Sequence, residues 1–199
     1  MKAKNTKFLQ KFMQASINSI GMIDQIQLMK AGELLKKLKT KKGRLFIIGS
    51  GGGAGHASHA VNDFRKIAEI ESYCPSDNTS ELTARINDEG WDTCYSEWLK
   101  ISKINCHDVL LVFSVGGGCS KRKISMNLVN AMKLANSKSA KIIAVTGRDG
   151  GASKKLADIL ILIPVKFKKI ITPVVEALQA LVWHCLVSLP DIQSKKTKW

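Results

Sequence analysis

The sequence predicts an α/β fold, a parallel sheet wrapped by helices and preceded by a helical segment. Three observations predict it. Short, unbroken apolar runs alternate with helix-patterned stretches, glycine-rich turns follow the first two strong runs, and the first forty residues carry helical spacing alone. From about Thr6 to Lys39, Phe8, Phe12, Ile20, Ile23, Ile26, Leu34, Leu35 and Leu38 recur at that spacing, one or two amphipathic helices with a break at Gly21-Met22. An apolar stripe ahead of a domain needs cover, from the domain or from a second subunit. After Gly43 the period changes. Leu45 to Ile48, Val109 to Phe113, Lys141 to Val145 and Ile159 to Ile163 read as strands buried on both faces. Helices are expected at Gly55 to Ile67, Asp92 to Ser102, Ser125 to Asn136, Gly151 to Ala157 and Thr172 to Ser188, the last opening at Thr-Pro and stopping before Pro190. Lys195 to Lys198 read as a solvated, disordered basic tail. The domain organisation is thus a helical segment over 1–40, the α/β domain over 41–190 and a tail over 191–199.

The chain has 199 residues, 45% hydrophobic and 24% charged, with a formal net charge of +15. That length buries a core without disulfides or metals. The charge first points to nucleic acid or an anionic surface, but its distribution argues otherwise. Residues 1–44 hold 11 basic and 2 acidic side chains, 45–120 hold 5 and 10, and 121–199 hold 15 and 4. An acidic middle third and only 6% aromatics argue against nucleic acid as a partner. The longest apolar runs, Val109 to Val115 and Ile159 to Val165, are far short of the roughly 20 residues that span a bilayer. The basic N-terminus leads into no apolar run of a signal peptide. Cys74, Cys94, Cys106, Cys119 and Cys185 are odd in number and never in a C-x-x-C pair, as in a reducing, cytoplasmic setting.

Two glycine loops carry the first chemical signal. Gly49-Ser50-Gly51-Gly52-Gly53-Ala54-Gly55 lies between a strand and a helix, and Ser114-Val115-Gly116-Gly117-Gly118-Cys119-Ser120 follows the next strong strand. Glycines let backbone amides approach an anion, and a helix N-terminus adds its positive end. Neither loop is a phosphate loop ending in G-K-[ST], and neither has G-x-G-x-x-G spacing with an acidic residue further on, so nucleotide binding is disfavoured. A single such loop reads equally as a tight turn. Two at successive strand ends favour a small phosphorylated ligand. The second signal is His59 and Asp63, four residues apart on one helix face. Glu176 and His184 lie on the last helix, eight residues or roughly 80° apart at 3.6 residues per turn. Such groups serve either as general acid and base or as zinc ligands.

These residues, taken in order with Asn87-Asp88-Glu89-Gly90 and Thr146-Gly147-Arg148-Asp149-Gly150-Gly151, resemble the SIS (sugar isomerase) domain family, and within it the phosphoheptose isomerases, over about residues 10–188. The resemblance implies a three-layer α/β/α sandwich with a five-stranded parallel sheet, a homotetramer and a phosphorylated sugar as substrate. It implies conversion of D-sedoheptulose 7-phosphate to D-glycero-D-manno-heptose 7-phosphate, a step of bacterial lipopolysaccharide or capsule biosynthesis. It also implies Asp63, His184 and Asp88 in catalysis, and Ser50, Gly51, Gly52, Gly53, Ser114, Ser125 and Glu176 around substrate. His59, Asp63, Glu176 and His184 are then the zinc ligands. Three departures stand out. Asp63 stands where the family has Glu, Glu176 where it usually has Gln, and Cys119 to Ile124 count as a six-residue insertion before Ser125. The competing class is a non-catalytic SIS module that binds a phosphosugar or assists a replication initiator.

Overall fold

The computed structural model describes residues 2–196. Two N-terminal helices, α1 (Lys2–Gly21) and α2 (Gln25–Thr40), break where expected, with the Asp24 side chain capping α2 through the amides of Ile26 and Gln27. Five parallel strands follow: β1 (Leu45–Gly49), β2 (Ser72–Tyr73), β3 (Val109–Ser114), β4 (Lys141–Thr146) and β5 (Ile159–Leu162), in the order β2-β1-β3-β4-β5. The remaining helices are α3 (Gly52–Lys66), α4 (Thr79–Glu89), α5 (Cys94–Ile101), α6 (Met126–Ser137), α7 (Ser153–Leu156) and α8 (Ile171–Val187). Two elements escape the apolar pattern. Strand β2 has two residues, and α4 has no buried residue, so neither carries a periodic stripe.

Alternation along the strands divides the core in two. Leu45, Ile47, Val109, Leu111, Phe113, Ile143 and Val145 face α2, α3 and α8, whereas Phe46, Ile48, Leu110, Val112, Ile142 and Ala144 face α5 and α6. Trp183 of α8 is fully buried in the first half, Trp98 is partly buried in the second, and Trp91 is exposed. At the N-terminal edge Arg44, just before β1, makes a forked pair with buried Asp108, just before β3, at 3.1 and 2.7 Å. Opposite charge and a planar fork fix the two strands in register.

The expected basic tail is partly an attached segment. Ser194 and Lys195 donate their backbone amides to Ile67 O, and Lys195 Nζ pairs with Glu69 at 2.8 Å. Thr197 and Lys198 lie outside the described residues. By length and composition, Lys168–Val187 is long and apolar enough to cross a membrane, contrary to the reading from unbroken runs, and half of it is buried inside the fold as the core helix α8.

Parallel pairing aligns the strand ends. Gly49 lies beside Phe113, and Ser114 beside Thr146, so the loops after β1, β3 and β4 leave the sheet at one level. The chain leaves β1 for β2 on one side and leaves β3 for β4 on the other. That leaves a crevice at the carboxyl ends of β1 and β3, where open α/β sheets bind ligands. Buried Tyr95 of α5 braces it by donating its hydroxyl to Gly49 O at 2.7 Å. Burial pushes that phenol's pKa upward, so it remains a donor. Tyr95→Phe, which leaves this carbonyl unpaired, is expected to cost about 1–3 kcal/mol, read as a drop in the thermal midpoint of a few degrees.

Candidate functional site

Two clusters meet along α3. The first is a cavity of about 660 Å³ at the crevice, lined by Ser50, Ser114, Val115, Gly116, Gly118, Cys119, Ser120, Arg122, Ser125, Arg148, Asp149, Lys155 and Thr172 among others. Its floor is backbone against backbone. A Cβ on Gly117 (φ +69) would strike Gly150 O, so the loops after β3 and β4 seat together only because this position has no side chain. Ser114 Oγ accepts from Gly117 N at 3.0 Å, and Ser50 Oγ accepts from Asn127 Nδ2 at 2.9 Å. Cys119 to Ile124 fold as a small hairpin, with Cys119 and Ile124 exchanging backbone hydrogen bonds at 2.9 and 3.0 Å. That turn exposes Lys121 and Lys123 and sets Arg122 at the cavity wall.

The cavity is electropositive for a definite reason. Arg44, Arg65 and Arg85 each hydrogen-bond a protein oxygen. Among the described residues, Arg122, Arg148 and Lys155 form no ion pair with a carboxylate, and all three line the cavity. Arg122 also holds the thiol of Cys119 below its usual pKa, first by hydrogen bonding to it. Sequence reasoning had not counted Arg148 and Lys155 as site residues. The signal for Arg148 was its place in the loop after β4, at the same end of the sheet.

The second cluster is His59, Asp63 and His184. Asp63 is 2% exposed, while both histidines are open to solvent. Asp63 Oδ1 accepts from Asn62 at 2.8 Å, and Oδ2 faces His59 Nε2 at 3.9 Å and His184 Nε2 at 3.8 Å. His184 Nδ1 lies 2.8 Å from Ala180 O. A carbonyl only accepts, so Nδ1 carries the proton and Nε2 of the neutral ring turns a lone pair toward the carboxylate. Two like-signed donor atoms face each other there, which is favourable only with a proton or a cation between them. Three ligand atoms lie within 4.8 Å of one another. Bonds of about 2.0–2.2 Å set the ligands of a tetrahedral zinc roughly 3.3–3.6 Å apart; both Asp63 separations are near that spacing, and turning the exposed imidazoles inward by about an ångström fits the donor set to zinc. Trp183 orients both rings, with His59 edge-on at 4.8 Å between centroids and His184 stacked at 3.5 Å.

Glu176 does not join this trio. Its carboxylate stands over Gly52, where a Cβ would come within 2.8 Å of it. Roughly 12 Å of helix rise separates positions 176 and 184. There it faces His56, whose pKa burial lowers while Glu176 pulls it back upward. Because Gly52–Glu176 and Asp63–His184 both meet, α3 and α8 run side by side in the same direction. Glu176 therefore lies between the cavity and the trio. Gly51 (φ +59) caps α3, and Gly53 packs against Phe113 O. Asp88 is exposed on α4 with its carboxylate taken by Asn87 at 2.8 Å, and it neither lines the cavity nor reaches the trio within one chain.

Known proteins bear on this arrangement. The SIS domain model matches residues 10–147. A lincomycin biosynthesis protein, LmbN, from Streptomyces lincolnensis is 38% identical over 148 residues, covering 69% of this chain and 52% of its own length, so the chain spans about half of that relative. A phosphoheptose isomerase of Shewanella sp. (strain ANA-3) is 31% identical over 165 residues, covering 79% of this chain and 78% of its own. Among solved structures, phosphoheptose isomerase GmhA from Neisseria gonorrhoeae superposes with a TM-score of 0.78 at 25% identity, over 93% of this chain and 96% of the other. With its five-stranded parallel sheet and its relatives among phosphoheptose isomerases, the chain belongs to the SIS (sugar isomerase) domain family.

Proposed function

We propose that the protein is an aldose–ketose isomerase of a phosphorylated sugar, and more finely that it converts D-sedoheptulose 7-phosphate to D-glycero-D-manno-heptose 7-phosphate in heptose biosynthesis. The observation that carries the reading is the pairing along α3 of an anion-binding cavity with a buried carboxylate set between two imidazoles. Positions 52 and 59 are separated by roughly 10 Å of helix rise. An extended seven-carbon chain, with bonds of about 1.5 Å laid in zigzag, reaches roughly 9 Å from its phosphate to its carbonyl end. The phosphate is held by the amides of Gly116 and Gly118, the hydroxyls of Ser50, Ser114 and Ser125, and the cations of Arg122, Arg148 and Lys155, whereas Gly51 to Gly53, expected from the sequence to join them, lie outside the cavity lining. Glu176 meets sugar hydroxyls on the way to the trio.

At the trio, one group takes the proton from C1 of the open-chain ketose while the other gives a proton to the C2 oxygen, forming the enediol; the first proton then returns at C2 as the C1 hydroxyl gives its own proton back to the second group. Asp63 and His184 are the acid and base of that exchange. His59, Asp63 and His184 are the residues that would hold zinc, and Glu176, set over Gly52, is left to the substrate. When bound, zinc supplies polarisation of the substrate carbonyl, and Asp63 and His184 then serve as its ligands. Asp63 ends one methylene short of a glutamate, and its burial in α3 leaves the imidazoles to come to it.

The chain is also proposed to work as a homotetramer in the cytoplasm. Phe8, Leu9, Met13, Ile17 and Ile20 form an exposed apolar row on α1, a surface that a second copy would cover. Asp88, clear of the site within one chain, would act on a neighbouring subunit's site. All five cysteines are free thiols, which supports a reducing compartment. The non-catalytic reading, a phosphosugar-binding or initiator-binding module, gives no role to the buried carboxylate between two imidazoles.

Three outcomes test this. Asp63→Asn is expected to lower kcat on sedoheptulose 7-phosphate by about 100-fold or more, and turnover at the wild-type rate would remove Asp63 from the chemistry. Removing metal with a chelator should abolish most activity and zinc should restore it; full activity in demonstrably metal-free protein would eliminate the zinc role. Arg122→Gln is expected to raise KM about 3–10-fold with less effect on kcat, as lost phosphate grip requires. For assembly, Met13→Lys with Ile17→Lys should yield a smaller species in sedimentation, and an unchanged mass would move the interface off α1.

A further inference from the structure

Asn127, the second residue of α6, is fully buried beside Ser50. Its Nδ2 donates to Ser50 Oγ at 2.9 Å, while its Oδ1 is buried with no partner. A serine hydroxyl has one proton and two lone pairs. The amide occupies a lone pair, and the hydroxyl proton is given to no protein acceptor among the described residues, although Ser50 lines the cavity. Turning the amide over would satisfy Oδ1 with that proton, but it would leave a buried NH2 with two unpaired protons and aim the serine away from the cavity. Buried N–H groups without acceptors are rarer than under-satisfied carbonyls, so the observed orientation is the favoured one.

We propose that Asn127 is a positioning residue that fixes the Ser50 hydroxyl as a hydrogen-bond donor into the cavity, so that this corner selects a ligand oxygen that only accepts, such as that of a phosphate monoester. The inference rests on the reading of the cavity as the phosphate end of the site. It assigns specificity to a residue that touches no ligand. An ammonium would meet the Ser50 proton head-on, and a sugar hydroxyl accepts it only by turning its own proton to another acceptor. A phosphate dianion offers lone pairs alone. Asn127 thereby adds a neutral donor to the charged donors of Arg122, Arg148 and Lys155.

The test is a double-mutant cycle between Asn127 and Ser50, read with inorganic phosphate by titration calorimetry and with sedoheptulose 7-phosphate by steady-state kinetics. Asn127→Asp keeps the shape but, ionised, can only accept, so it draws the serine proton inward. It should weaken phosphate about 5–10-fold, matching or exceeding Ser50→Ala, with the loss on KM rather than kcat. Asn127→Ala frees the hydroxyl to rotate and should cost only about 2–3-fold. In the Ser50→Ala background, either Asn127 variant should add less than about twofold. A merely structural role predicts the opposite order, with Asn127→Ala the worse variant and its loss intact without Ser50. That order, or wild-type phosphate affinity in Asn127→Asp, overturns the proposal. If Asn127→Asp does not fold, the cycle with Asn127→Ala decides by the same coupling criterion. Phosphate binding that follows this pattern in a protein without turnover would sink the isomerase reading and leave the inference standing.

Discussion

Because β1, β3 and β4 pair in parallel with Gly49 beside Phe113 and Ser114 beside Thr146, three loops leave the sheet at one level, and every part of the candidate site depends on that alignment. A one-residue slip would reverse which strand residues face α3 and α8. It would also separate Gly117 from Gly150, whose contact holds the cavity floor together. The Arg44–Asp108 pair at the opposite end holds β1 and β3 to this register. Tyr95 ties α5 to the near end of β1.

Helices α3 and α8 turn the aligned sheet into a long site. Both start at the cavity and run the same way, so residues farther along them, His59 and Asp63 about two and three turns into α3 and His184 nearly four turns into α8, meet at a second point. The fold thus separates two tasks. Anion recognition stays at the loops, where amides, hydroxyls and cations converge, and the carbonyl end of a bound sugar is left to the buried carboxylate and two imidazoles.

Much of this was legible in the sequence, for identifiable reasons. The strongly apolar strands and the glycine loops announce themselves because buried parallel strands leave no room for polar residues and close backbone approach leaves none for a Cβ. Spacing also placed His59 near Asp63. It could not place Glu176: eight residues along α8 looked like one face, but the rise between the two positions carries Glu176 to Gly52 and away from His184. Helix α4 and strand β2 were invisible because neither buries a periodic stripe. Asp88 was carried by motif resemblance alone, and within one chain it stands on the outer face of α4. Asn127 gave no sequence signal, since a buried amide is recognised only by what its two ends touch.

The central claim is that Asp63 faces the Nε2 atoms of two imidazoles, that of His184 turning a lone pair toward it, an arrangement that invites a cation or a proton to the point between them. Nitrogen-15 NMR of the imidazole rings in metal-free protein tests it most directly. The account predicts His184 as the Nδ1–H tautomer, with its unprotonated Nε2 resonance shifting when zinc is added in step with that of His59. A His184 ring protonated at Nε2 and bonded to Asp63, unmoved by zinc, would contradict it.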